Sequence, residues 1–208
     1  MNFFTCVFFG FIVAASGSLS PSFLNLTVVK FSLKSGLKAA LFLIGGFATV
    51  LFFQANLGAY LSSILMENSE YITLIQQVGT GILLLLSIYF FRLYLTKEKT
   101  IKRVEIEKSK AYMHGIGMSL LNMFAIPFYF TAISLLIGLD YFEYSFINAL
   151  FFSIGSTAGS FTVYATYATI ANKIEHRLTV IATKMDLIIG CLTGIVGLAN
   201  LVYLVWFK

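Results

Sequence analysis

The stretch YITLIQQVGTGILLLLSIYFF, Tyr71–Phe91, runs 21 residues without an Asp, Glu, Lys or Arg. A helix needs about 20 apolar residues to cross the hydrocarbon core of a bilayer. Lipid offers no hydrogen bonds to a bare backbone, so a span must be a helix or part of a closed barrel. Barrel strands alternate apolar and polar side chains over about 10 residues. Ile82–Leu86 is an unbroken apolar run with no such alternation, so the stretch reads as a transmembrane helix.

Outward from it lie five more windows free of those four residue types: Met1–Val29, Ala39–Met66, Ala111–Leu139, Tyr144–Asn172 and Leu187–Phe207. Four of them reach 28 or 29 residues, which leaves room for tilt, a kink or an interfacial end. The chain is 59% hydrophobic and 11% charged. Soluble domains are roughly a quarter charged, and six spans leave no length for one here. The expected fold is an all-α membrane protein of six transmembrane helices.

Charge placement orients these spans. Lys30, Lys34 and Lys38 follow the first. Arg92, Lys97, Lys99, Lys102, Arg103, Lys108 and Lys110 follow the third, and Lys173, Arg177 and Lys184 the fifth. Thus 13 of the 14 basic residues fall on one side, Lys208 being the exception. The other two connections carry Glu67, Glu70, Asp140 and Glu143 and no base. The positive-inside rule places the odd connections in the cytoplasm and both termini outside, in a multi-pass protein of the inner (plasma) membrane. The net charge of +5 follows from this bias. Glu98, Glu105 and Glu107 interrupt the one basic run, so a nucleic-acid partner is not expected. Nothing basic precedes the first apolar run, so that run is expected to be a retained span and not a cleaved signal.

Thr96–Lys110 divides the chain into residues 1–95 and 111–208, each with three spans, joined by a charged cytoplasmic loop at 96–110. An odd number of spans per half forces similar halves into opposite orientations, as in the inverted repeats of secondary transporters. The halves share features. Gly10 precedes Pro21 as Gly117 precedes Pro127, and ALFLIG (Ala40–Gly45) is echoed by ALFFSIG (Ala149–Gly155). The only two prolines lie within the first and fourth windows. Proline removes an amide donor and clashes with the carbonyl four residues back, which kinks or breaks a helix. Broken helices at matching places point to a transporter's binding site; a packing kink without a ligand is the alternative, and the symmetric placement favours function.

These features carry a resemblance. SLSPSFLN (Ser18–Asn25), SLKSGLKAALFLIGG (Ser32–Gly46) and QQVGTGILLLLSIYFFRL (Gln76–Leu93) are similar to the first half of the LysE/RhtB amino-acid exporters. GMSLLNMFAIPFYF (Gly117–Phe130), GSTAGSFTVYATYATIANKI (Gly155–Ile174) and KMDLIIGCLTGIVGL (Lys184–Leu198) continue it. The resemblance implies a secondary exporter of amino acids or similar small metabolites, driven by an ion gradient. Where that family usually has Pro-Gly-Pro, this chain has Pro21 alone. Where it usually has Asn-Pro-Lys, Asn122 stands with the proline moved to Pro127.

No acidic or basic residue lies in the middle of any window, so the candidate substrate contacts are neutral. They are Ser18, Ser20, Pro21 and Asn25 in the first span, Asn122 and Pro127 in the fourth, and Ser156, Ser160 and Tyr164 in the fifth. Amides and hydroxyls beside an opened backbone can hold a zwitterion; they can equally join helix to helix. Gln54, Asn56, Thr157 and Tyr167 are further polar residues of the spans. Lys184 and Asp186 form a gate candidate at the entrance to the last span. His114 stands near the start of the fourth.

The sequence has no GxSxG, HExxH or P-loop, so neither catalysis nor ATP coupling is expected, and no metal or cofactor is called for. Cys6 and Cys191 read as small packing residues. The GxxxG pairs Gly155/Gly159 and Gly190/Gly194 read either as internal helix contacts or as a homodimer face. Two other functions stay open at this point: a small carrier for a metal cation or reducing equivalents, and a membrane scaffold without cargo.

Overall fold

The computed structural model describes residues 2–19, 22–67, 77, 80, 81, 84, 85, 87–89, 91, 92, 95, 107–122, 124–171, 173, 174, 187, 191, 194, 195, 197–199, 201, 202, 205 and 206. Among them the regular structure is helix, with no strand. Five helices are bounded: α1 (Phe3–Leu19), α2 (Phe23–Glu67), α3 (Lys108–Leu120), α4 (Ala125–Gly138) and α5 (Phe146–Thr169). The chain divides into two compact units, Met1–Ile64 with Ile101–Glu175 and Leu65–Thr100 with His176–Lys208. In the second unit the described residues within 77–92 and 194–202 are helical, and the Cβ position of Gly194 faces the Ser87 hydroxyl.

By length and composition, Phe23–Ile64 and Phe146–Thr169 can each cross a membrane, and α3 with α4 makes a third candidate if that bent pair is one span. The protein is therefore a helical membrane protein. At about 1.5 Å per residue, the 45 residues of α2 would measure roughly 68 Å, over twice a hydrocarbon core. They do not form one rod. Gly36 has φ 83° and ψ 163°, a conformation essentially confined to glycine, and it separates helical arms at 23–35 and 37–67. The turn falls among Lys30, Lys34 and Lys38, where the sequence predicts the first connection.

The first charge-free window is interrupted as its proline predicts: α1 ends at Leu19 and α2 begins at Phe23. Ser20 and Pro21 lie outside the described residues. In the fourth charge-free window the axes of α3 and α4 differ by 63°. The bend falls at residues 121–124, upstream of Pro127, which occupies the first turn of α4. Proline is tolerated there because first-turn amides have no intrahelical partner anyway. Its ring excludes a continuous helix on its N-terminal side. The chain then reverses at Asp140 (φ 60°). Its amide donates to the Ile137 carbonyl (3.0 Å) and the Tyr141 amide to that of Leu136 (2.8 Å), a Schellman closure with Asp in glycine's usual place. Ser145 caps α5 by accepting from the Asn148 amide at 3.1 Å.

Glycines set the close helix pairs of the first unit. Where α1 crosses α5, a Cβ at Gly10 would strike the Phe152 carbonyl oxygen, and one at Gly155 the Val7 carbonyl oxygen. Where the second arm of α2 crosses α3, a Cβ at Gly46 would strike the Tyr112 carbonyl oxygen, and one at Gly115 the Leu43 carbonyl oxygen. Each glycine thus meets the carbonyl three residues before its partner glycine, in both crossings. Gly159 extends the first crossing against the Phe11 carbonyl. Gly155/Gly159 is therefore an internal contact. Lipid is as apolar as Leu, so such backbone approach, and not the hydrophobic effect, holds membrane helices together. Phe47, Phe152, Leu43, Ile44 and Ile133 fill the interior, while Phe4, Phe8, Phe53, Phe146 and Ile147 face outward.

Candidate functional site

Each break strips carbonyls of their helical partners, and such groups are costly inside a bilayer unless another donor reaches them. At the first break, the fully buried Asn25 donates Nδ2 back to the Ser18 carbonyl at 2.8 Å. The Ser22 hydroxyl donates to Asn25 Oδ1 at 2.7 Å and fixes that amide. The Tyr167 hydroxyl, from α5, donates to the Leu19 carbonyl at 2.9 Å. At the second break one side chain serves two carbonyls. Gln54 Nε2, from the second arm of α2, donates to Ser119 O (3.2 Å) and Asn122 O (3.4 Å).

Between the breaks lies a buried, uncharged cluster. The Ser18 hydroxyl donates to Ser160 Oγ at 3.2 Å. The Tyr164 phenol lies against Ser18, and the Tyr129 phenol faces Ser160 and Ser156. At Ser156 that approach falls short of a hydrogen bond, and its buried Oγ has no partner. The Phe47 ring meets Tyr164 edge-on at 5.5 Å, and the Phe47 carbonyl accepts from Ser119 Oγ at 3.5 Å. Phe47 therefore links the cluster at the first break to the second. Gln54 Oε1 is the other buried polar side-chain atom without a partner among the described residues.

Of the sequence candidates, Ser18, Asn25, Ser156, Ser160 and Tyr164 come together here. Asn122 joins through its backbone carbonyl. Pro127 is exposed and shapes the bend without lining the cluster. Ser20, Pro21, Lys184 and Asp186 lie outside the described residues. Thr157 turns to its own helix, donating to the Ser153 carbonyl at 2.8 Å, as Ser153, Thr162 and Thr169 do to carbonyls four residues back. Asn56 likewise donates to Phe52 O. His114 stacks on Phe31 at 6.0 Å. Cys6 is buried in α1 and Cys191 is exposed. Among the described residues no three His, Cys, Asp or Glu gather as a metal site.

Sequence reasoning missed Tyr129 and Ser119 and named Gln54 only as one of the neutral polar candidates of the spans. Among 22 Phe and 11 Tyr, Tyr129 reads as one more belt or lipid-facing ring. Gln54 carried a signal, since an amide inside a span needs a partner.

A helical membrane protein with neutral polar side chains gathered at broken helices is built like a carrier of small solutes. The family model described as LysE type translocator matches residues 15–204, and the chain belongs to that family. It is a family of translocators, not of enzymes, so the protein is a membrane transporter of small molecules. No curated protein and no solved structure matches the chain.

Proposed function

We propose that the protein exports amino acids or similar small zwitterionic metabolites from the cytoplasm, by secondary transport with alternating access. The observation that carries this is the neutral polar cluster bridging two helix breaks. A net charge taken into low dielectric is expensive, whereas an internally balanced solute can exchange water for amides, hydroxyls and broken-helix carbonyls. Ser18, Ser20, Pro21, Asn25, Asn122, Pro127, Ser156, Ser160 and Tyr164 line or shape the route, with Lys184 and Asp186 as a gate at the cytoplasmic entrance of the last span.

The wider architecture in this reading is six spans in the inner membrane with both termini outside. Residues 1–95 and 111–208 are inverted repeats joined by the loop at 96–110. The glycine crossings support it. A two-fold axis relating the halves would exchange α1 with α3 and the second arm of α2 with α5, and it would require the same register at both crossings. A homodimer, where one forms, uses a face other than Gly155/Gly159.

The test is counterflow of a panel of labelled amino acids in proteoliposomes. Flux for at least one of them above protein-free vesicles, weakened by Ser18→Ala, is the expected result. Equal flux with and without protein across the panel removes the proposal.

A further inference from the structure

We infer that Gln54 recognises the ammonium group of the cargo, its side-chain oxygen accepting one of the cargo's N–H donors. This rests on the amino-acid reading above and names the contact that selects for the amine.

The argument begins with orientation. Amide oxygen and nitrogen are told apart by their neighbours. Here both neighbours are carbonyl oxygens, Ser119 O and Asn122 O at 3.2 and 3.4 Å. Turning the amide over would aim oxygen at two oxygens. Nε2 is therefore committed to the break, and Oε1 is held in one direction. Gln54 is 7% exposed, and Oε1 has no partner. Buried polar atoms are rarely left so, and an orphan in a transport protein asks what completes it.

What completes it must be a donor. An ammonium supplies three N–H groups, and a charged donor makes the stronger hydrogen bond. A bare cation such as Na+ is a poorer fit. It would seek the neighbouring carbonyl oxygens as well, and those already accept from Nε2. Gly58, one helical turn beyond Gln54 on the same face, packs against Tyr129. The acceptor therefore stands one turn from the helix whose phenol faces Ser156 and Ser160.

The experiment compares transport of the best amino acid of the panel with that of its 2-hydroxy acid, in which a hydroxyl replaces the ammonium. The ratio is taken within one proteoliposome preparation, so the folded fraction cancels. Wild type should favour the amino acid by at least about tenfold, because the hydroxy acid lacks the charged hydrogen bond and also carries a net negative charge. Gln54→Met should cut that ratio by about tenfold to a hundredfold, the range for a hydrogen bond to a charged group, while the part due to net charge stays in both. Gln54→Glu, which can take a proton toward the break and keep an acceptor oxygen, should retain the preference. A wild-type ratio near one, or a ratio unchanged in Gln54→Met, overturns the assignment while leaving export standing. Absence of amino-acid flux in wild type overturns both. Should Gln54→Met fail to fold, loss of the preference in a folded Gln54→Glu overturns the assignment.

Discussion

The two helix breaks face the same physical problem and meet it differently. At the first, Asn25 reaches back within its own segment to the Ser18 carbonyl, and Tyr167 covers Leu19. At the second, Gln54 arrives from another helix and holds two carbonyls at once. The first is closed by Asn25 from its own segment and by Tyr167 from α5. The second is closed by the Asn122 and Ala125 amides together with Gln54, and it leaves an acceptor over. The first break is thus the more finished, and the second is the one a cargo can complete.

The comparison stands on the two glycine crossings, and breaking either should have the largest effect. Gly155→Ala and Gly46→Ala each put a methyl group into a backbone carbonyl of the facing helix, and backbone cannot step aside as a side chain does. Each should cost about 3 kcal/mol, read as a lowered thermal midpoint in detergent. Nothing lies within 4 Å of a Cβ at Gly117, so Gly117→Ala should stay within about 0.5 kcal/mol of wild type. A large loss at one crossing and none at the other would break the equivalence of the halves.

Next come the two amides. Asn25→Leu leaves the buried Ser18 carbonyl unpaired and should cost about 2 kcal/mol. Gln54→Met leaves the Ser119 and Asn122 carbonyls their backbone donors, the Asn122 and Ala125 amides at 3.0 and 3.3 Å, and removes an atom that had no partner, so its cost should be smaller, about 1 kcal/mol. Chemical denaturation of the two variants in the same detergent gives the order. A costlier Gln54→Met would mean that Oε1 is already satisfied without cargo.

The turns that close the two broken spans differ as well. The first uses Gly36 in a glycine-only conformation, the second Asp140 in a left-handed one. Gly36→Ala meets no atom within 4 Å, so its cost is backbone strain alone, about 1 kcal/mol. The same denaturation experiment would detect it.

The helical membrane class was legible because lipid leaves so few choices. Charge-free windows anticipate the second arm of α2, α5 and the bent pair. The three lysines mark the turn that Gly36 makes. Pro21 and Pro127 announced the interruptions, but proline acts on the turn before it, so the bend sits at residues 121–124 and Pro127 itself is exposed. Ser18, Asn25, Ser160 and Tyr164 could be found because polarity within a span stands out against Leu and Phe. Tyr129 could not, since its ring looks like every other aromatic until packing brings its phenol to Ser156 and Ser160. Nor could sequence say that Thr157 answers to its own helix while Ser156, one residue earlier, answers to none.

That last contrast yields the smallest and sharpest prediction. Thr157 already donates at 2.8 Å, so its hydroxyl is satisfied with or without cargo. Ser156 is buried and its hydroxyl is not. Removing a bonded group from a buried pair usually destabilises, whereas removing one that pairs with nothing relieves a desolvation cost. Ser156→Ala should therefore leave the thermal midpoint unchanged or raise it slightly, by less than about 1 kcal/mol in stability. Its effect on transport should run the other way, as a lower rate for the best amino acid in the same vesicles. A variant both less stable and equally active would place Ser156 among the packing hydroxyls of α5, and the polar cluster would then end at Ser160.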